Sequence, residues 1–443
     1  MIKIEMARTV FLAASLLISP LIFGSSSNRS QFPSLTVNSH RLEKRLMKLA
    51  EIGQNEEGGV SRLAYSQADI QGRQYLMSLM KEAGLKVRID EAANIIGQRP
   101  GKEKGLSPIV FGSHADSVPN GGKYDGALGV LAAIECVQVL EENNIVTRHP
   151  LQVVVFTDEE GGLIGSRAMI GHLTPETLQI VSDSGRTIRE GIKALGGDPD
   201  NLDKARLEPG EIKAFLELHI EQGAVLESKK INVGIVQGIV GINWWEVTVE
   251  GMANHAGTTP MDMRHDALLA ASHLIVAVNR VVTSSPGRQV GTVGKIQCEP
   301  GAANVIPAKV IMSLELRDLS SEKIKSLFKE IKTEAAKIAT LTRTKIKFKT
   351  VEATAVPAPT DPRLQKCIKQ SAQELGLTYL LMPSGAGHDA QNMARITPAG
   401  MIFIPSVGGI SHSPREYSRP QDITNGANVL LRTILKIDQG ALD

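Results

Sequence analysis

Residues Ser107 to Asp116 read SPIVFGSHAD: a short apolar run that ends on a histidine and an aspartate two positions apart. A continuous apolar run bounded by turn residues is the pattern of a strand buried on both faces, as in a sheet covered by helices on either side. Outward from it, Gly126 to Glu141 (GALGVLAAIECVQVLE) reads as a helix and Leu151 to Thr157 (LQVVVFT) as a second buried strand. A third strand, Ala214 to Ile220 (AFLELHI), ends in another polar cluster. Strand, helix and strand in alternation predict an α/β fold whose mixed sheet is flanked by helices.

The chain has 443 residues, more than one hydrophobic core normally serves, so two domains are expected. The middle section changes style. Trp244 to Glu250 (WWEVTVE) alternates, a helix pattern covers His265 to Val282, and strands are expected at Gly291 to Cys298 and Lys309 to Arg317. A helix from Ser321 and a basic strand near Thr344 to Lys349 complete the β-α-β-β-α-β order of a ferredoxin-like unit. Residues 38–231 and 351–443 are therefore expected to form one domain, with 232–350 inserted as a second.

With 42% apolar and 22% charged residues, neither disorder nor a membrane bundle fits. The 49 basic and 47 acidic residues nearly cancel and form no long like-charged run, so a nucleic-acid partner is not indicated. Cys136, Cys298 and Cys367 are isolated, which excludes a disulfide framework and a CxxC metal knuckle. At the N-terminus, Lys3 and Arg8 precede an apolar run from Val10 to Phe23 and a serine-rich stretch. That run is too short for a permanent span and reads as a signal peptide over 1–27. Export, with no membrane partner for the mature form, is the expectation; an uncleaved anchor or a cytoplasmic protein is the alternative.

The polar residues gather where strands end. Asp116, two residues after His114, is expected to accept a hydrogen bond from one ring nitrogen and leave the other free for a metal. Asp125 stands at the mouth of the turn that opens the next helix, where it suits either a metal or a helix cap. After the second strand come Glu159 and Glu160, adjacent carboxylates that repel unless a cation or proton separates them. A ligand beside a general base resolves that conflict; a solvated turn is the alternative. His219 ends the third strand, and His412 follows the apolar run at Gly400 to Ile404. Three histidines with several carboxylates suit zinc, manganese or nickel.

The motifs GSHADSVPNGGKYDGALGVL, FTDEEGG, GSRAMIG, ELHIEQG, GMANHAGTTPMDMRHDAL, GAANVIP, GAGHDAQNMA and GGISHSPRE stand in this order from about Ser39 to the end. In this the chain resembles the hydantoinase/carbamoylase branch of the di-zinc aminoacylase and carboxypeptidase superfamily. The resemblance implies a zinc-peptidase-like catalytic domain with an inserted lid through which the protein dimerises. It implies two divalent metal ions bridged by Asp125, with His114 and His219 completing one site and Glu160 and His412 the other. Glu159 would be the general base, and His255 would stabilise the oxyanion across a dimer interface. Asn304 and Arg317 would bind the substrate carboxylate, with Gln222 at the ureido group and His388 orienting the site. A strand-end salt bridge is the alternative for Arg317.

The activity implied is hydrolysis of the carbamoyl C–N bond of N-carbamoyl-L-amino acids. Allantoate or ureidoglycolate is the alternative substrate, and an N-acyl-amino acid or dipeptide a further one. A histidine at position 219, where peptidase relatives usually carry a carboxylate, favours the ureido reading. The chain departs from many carbamoylases in passing almost directly from DEEGG to Leu163-Ile164-Gly165-Ser166-Arg167. The resemblance implies that this loop borders the substrate pocket.

Overall fold

The computed structural model describes residues 35–351 and 355–443, so the signal reading at 1–27 lies outside the described residues. Strands β1 (Lys86–Ile89), β2 (Ile95–Arg99), β3 (Ile109–His114), β4 (Leu151–Phe156), β5 (Ala214–Ile220) and β6 (Val233–Ile239) come first. Then follow β7 (Gly241–Glu250), β8 (Asn254–His255), β9 (Val290–Thr292), β10 (Ile296–Glu299), β11 (Val305–Ile306), β12 (Lys309–Asp318) and β13 (Lys345–Thr350). The last three are β14 (Ala358–Pro359), β15 (Tyr379–Ser384) and β16 (Ala399–Ile404).

The larger sheet runs β1-β2-β4-β3-β5-β16-β6-β14, with β15 also paired to β6. Its centre is parallel: β3 aligns with β4 and β5, and β16 with β5. Four strand ends therefore open on one edge, where open α/β sheets build their sites. The reason lies in the sequence, since β3 and β5 are buried along their whole length and need helices on both faces. The helix Ala127–Glu142, buried over most of its length, covers one face together with Pro420–Asp438.

The smaller sheet runs β10-β12-β7-β13, the order of a ferredoxin-like unit with its two helices on one face. Trp245, Val247, Val310, Met312, Leu314 and Leu316 form its buried face against the helices Ala267–Ser284 and Ser321–Thr342. Residues of alternate parity, among them Trp244, Glu315 and Arg317, occupy the other face.

Three expectations are corrected. The insertion does not begin at 232, because β6 pairs with β16, β14 and β15 of the larger sheet. The strand expected at 291–298 is broken into β9 and β10, where the Ser313 hydroxyl oxygen accepts from the amides of Gly294 and Lys295. The helix expected from His265 starts at Ala267, capped by Asp266.

Gly112 shows how closely β3 approaches β4. Its φ is +156°, and a Cβ built there would lie 2.0 Å from the carbonyl oxygen of Val154. Gly112→Ala is expected to lower stability by about 3 kcal/mol, measured by urea denaturation. An unchanged midpoint would show that these strands are not so tightly joined.

Candidate metal centre

His114 ends β3 with its side chain buried. The buried guanidinium of Arg62 donates to the carbonyls of Ala115, Leu49 and Ile52 and so fixes the chain just beyond it. Nδ1 of His114 lies 3.1 Å from the carbonyl oxygen of Asp116. Nδ1 of His219, on β5, lies 2.9 Å from the carbonyl oxygen of Ile220. A carbonyl accepts only, so each ring carries its proton on Nδ1 and turns an Nε2 lone pair toward the site. The amide of Gly126 donates to Nε2 of His219, which agrees with that tautomer.

Those lone pairs face Asp125. Its Oδ1 lies 3.0 Å from Nε2 of His219 and 3.5 Å from Nε2 of His114, while its Oδ2 lies 3.3 Å from Nε2 of His412. Nε2 of His412 is also 3.6 Å from Oε2 of Glu160. Acceptor thus stands against acceptor, an arrangement that only a proton or a cation between them relieves. Oε1 of Glu160 is buried with no hydrogen-bond partner. A tetrahedral ion with ligands at about 2.0–2.1 Å separates its ligand atoms by about 3.4 Å, which matches this spacing. Among the described residues three groups meet the requirement: His114, Asp125 and His219; Asp125, Glu160 and His412; and Glu217, His219 and His388; the first two share Asp125. The donor set fits two divalent ions with Asp125 between them.

Electrostatics follow the same division. Without an ion a shared proton answers the same conflict: burial opposes the charge on Asp125, but His219, His114 and His412, each raised and protonated beside it, outweigh that and hold the carboxyl well below the usual range. Burial and then Asp125 push Glu160 up to about 7. Burial also raises Glu159, with the nearby Asp389 and Glu160 adding to the rise and His114 opposing it. Its Oε2 lies 3.7 Å from Nε2 of His114, and it belongs to none of these groups. His412 is raised to about 9 by its bond to Asp125.

The helix-cap alternative for Asp125 is excluded, because Gly126 occupies the cap position with φ +60° and no side chain caps the helix. Asp116 acts differently from the expectation. Its backbone carbonyl, not its carboxylate, takes the bond from His114, since the carboxylate stands 3.8 Å from Nδ1. The carboxylate instead accepts the amides of Glu159 and Glu160 and pins the acidic turn.

Gln222 reaches Asp125, its Nε2 lying 2.8 Å from Oδ2. His388 lies behind His219, ring centroids 4.5 Å apart, with Nε2 against the Ser384 hydroxyl. Burial, then His219, pushes its pKa well below the ordinary histidine value. Arg317 lines a cleft of about 580 Å³ together with Gln222 and Phe403. The salt-bridge alternative for Arg317 is realised as well, since it pairs with Glu315.

His255 and Asn304 are not brought to the cluster in this chain. They sit together, both exposed, His255 on β8 and Asn304 just before β11, where the carbonyl of Asn304 accepts the amide of Ala256. Nδ1 of His255 accepts the amides of Gly257 and Thr258, which places the ring proton on Nε2 and makes it an outward donor.

Sequence reading missed Glu416. It is buried, accepts the amides of Tyr124 and Asp125, and lies 2.8 Å from the Ser411 hydroxyl. Its signal was the glutamate closing GGISHSPRE, four residues after His412. Glu217, fully buried on β5 and held by the Ser113 hydroxyl and the Ala390 amide, was also passed over.

The model of peptidase family M20/M25/M40 matches residues 110–436. The chain is 42% identical over 409 residues to an N-carbamoyl-L-amino acid amidohydrolase of Geobacillus stearothermophilus, covering 91% of this chain and 100% of that one. It is 37% identical over 428 residues to a ureidoglycolate hydrolase of Arabidopsis thaliana, covering 94% of this chain and 89% of the plant protein. A solved amidase of the hydantoinase/carbamoylase family from Burkholderia multivorans superposes with a TM-score of 0.85 at 35% identity, covering 91% of this chain and 98% of that one.

A Cβ at Gly126 would lie 2.4 Å from ring atoms of His114. Gly126→Ala is expected to displace that ring and weaken metal binding by about 10- to 100-fold while the far-UV spectrum is kept. Undiminished metal in the dialysed variant would place His114 outside the centre.

Proposed function

Because the chain belongs to peptidase family M20/M25/M40, we propose that it is a two-metal hydrolase cleaving the carbamoyl C–N bond of N-carbamoyl-L-amino acids. The observation that carries the reading is the His219 lone pair set against Asp125, which supplies an imidazole in the centre and calls for a cation there. Relatives named for N-carbamoyl-L-amino acids stand at 34–42% identity over most of the chain, the first three of them at 37–42%. Relatives named for ureidoglycolate and allantoate, at 35–37%, make those ureides the second reading.

In this reading His114, Asp125 and His219 hold one ion, and Asp125, Glu160 and His412 hold the other. The ions supply Lewis acidity and a nucleophile at neutral pH. Glu159 takes the proton from the attacking water and returns it to the leaving nitrogen as the C–N bond breaks. Burial favours that role, since it raises the affinity of Glu159 for a proton. Arg317 anchors the substrate carboxylate from the cleft, and Gln222 stands beside Asp125 where the ureido group must lie. The amino acid and carbamate leave, and the carbamate then falls apart to ammonia and carbon dioxide.

His255 presents a donor suited to an oxyanion, and we assign its approach, with Asn304, to a second copy of the chain. The smaller sheet, acting as lid, supports that assignment. Leu268, Leu269 and Val276 are exposed on the helix Ala267–Ser284, as is Ile296 on the edge strand β10. The opposite edge, β13, carries Lys345, Lys347 and Lys349, a charge pattern that discourages pairing. The leader-like N-terminus supports export.

Ammonia release from N-carbamoyl-L-amino acids, allantoate, ureidoglycolate and acyl-amino acids, with manganese or zinc supplied, tests the substrate class. Turnover confined to acyl-amino acids would contradict the ureido reading. Glu159→Gln is expected to keep its metal and lose turnover by roughly 10² to 10⁴, whereas Glu160→Gln releases metal. The reverse pattern in metal content and kcat would exchange their roles.

A further inference from the structure

Arg317 leaves β12 on the helix-free face of the smaller sheet, and three of its donors are already engaged. Nε lies 2.7 Å from Oε1 of Glu315 and Nη2 lies 3.1 Å from Oε2. Nη1 donates at 2.7 Å to the carbonyl of Gly385, in the loop that follows β15 of the larger sheet. A guanidinium has five N–H groups. Two remain, one on each terminal nitrogen, and a carboxylate can take them together as a parallel pair.

Glu315 thus closes the side edge of the guanidinium, and one N–H on each terminal nitrogen is left for a further acceptor. It is itself held from across the sheet. In the β7–β12 register Glu315 stands opposite Trp244, whose indole N–H donates to the same carboxylate. Burial opposes the charge on Glu315, but Arg317 and Trp244 outweigh it and keep the carboxylate ionised. The line from Trp244 through Glu315 and Arg317 to Gly385 joins the smaller sheet to the wall of the cleft that holds Gln222.

We propose that Glu315, braced by Trp244, is a positioning residue that presents the Nη1/Nη2 edge of Arg317 to the substrate carboxylate and thereby selects ureido compounds bearing a carboxylate. The proposal rests on the assignment of Arg317 as the carboxylate anchor. Without Glu315 the guanidinium is free to swing and offer either edge, so binding loses its fixed geometry while the metal centre is untouched. A purely structural salt bridge would affect all substrates alike.

The test compares N-carbamoyl-L-alanine with N-carbamoyl-L-alaninamide, which lacks the carboxylate, on the manganese-loaded enzyme. Glu315→Gln is expected to raise KM for the acid about 10- to 100-fold, to leave kcat within about twofold, and to leave both parameters unchanged for the amide. The melting temperature should stay within a few degrees of wild type, and adding Glu315→Gln to Arg317→Lys should cost little more, because both changes remove one interaction. Wild-type kinetics on the acid, or equal losses on both compounds, would overturn the assignment. If the wild-type enzyme releases ammonia from neither, the N-carbamoyl-amino-acid reading fails, and calorimetry of L-alanine against L-alaninamide decides the role of Glu315. Binding weakened for the acid alone would uphold it, and equal binding in variant and wild type would overturn it.

Discussion

Three imidazole nitrogens converge on the carboxylate of Asp125, two of them with their lone pairs fixed by backbone carbonyls. Such a cluster, most of it buried, repels itself unless positive charge is shared among its members. Much of the surrounding structure answers that one constraint. Glu416 holds the backbone at Asp125, the left-handed turn at Gly126 leaves room for the His114 ring, and Asp116 pins the carboxylates of the next loop. The protein builds a site for cations by forcing acceptors together and then closing the side chains' other exits.

The sheet makes that crowding possible at modest cost. His114 and His219 stand at the ends of paired strands, and Asp125, Glu160 and His412 lie on the segments that leave β3, β4 and β16 at the same edge. His114 and His219 lie on strands that are direct neighbours in the parallel centre, while His412 arrives from nearly two hundred residues further along the chain. The helix Ala127–Glu142 then seals the cluster from below with an almost wholly apolar surface. On the far side, the smaller sheet contributes Arg317 to the cleft, while His255 and Asn304 stand exposed and away from the Asp125 cluster.

The strands and the residues that cluster at their ends were legible in the sequence for a physical reason. Short continuous apolar runs bounded by turn residues fit buried strands better than helices, and polar residues placed directly after parallel strands share an edge. What remained illegible depended on distance or on backbone detail. Asp125 could have been a helix cap, and only the positive φ of Gly126 decides otherwise. The bond from His114 to a carbonyl of Asp116 instead of to its carboxylate is a matter of loop conformation, which side-chain spacing does not reveal. The role of Glu416 needs a contact across almost three hundred residues. The pairing of β6 with β16 likewise needed the fold, since β6 alone reads equally well in either sheet.

The account turns on two cations sharing Asp125, and a crystal of the manganese- or zinc-loaded protein tests it most directly. Anomalous scattering above the metal edge should give two peaks about 3.5–4 Å apart, one against His114 and His219, the other against Glu160 and His412, with Asp125 between them. A single fully occupied peak, or two peaks with Asp125 bound to only one, would contradict the shared-carboxylate centre.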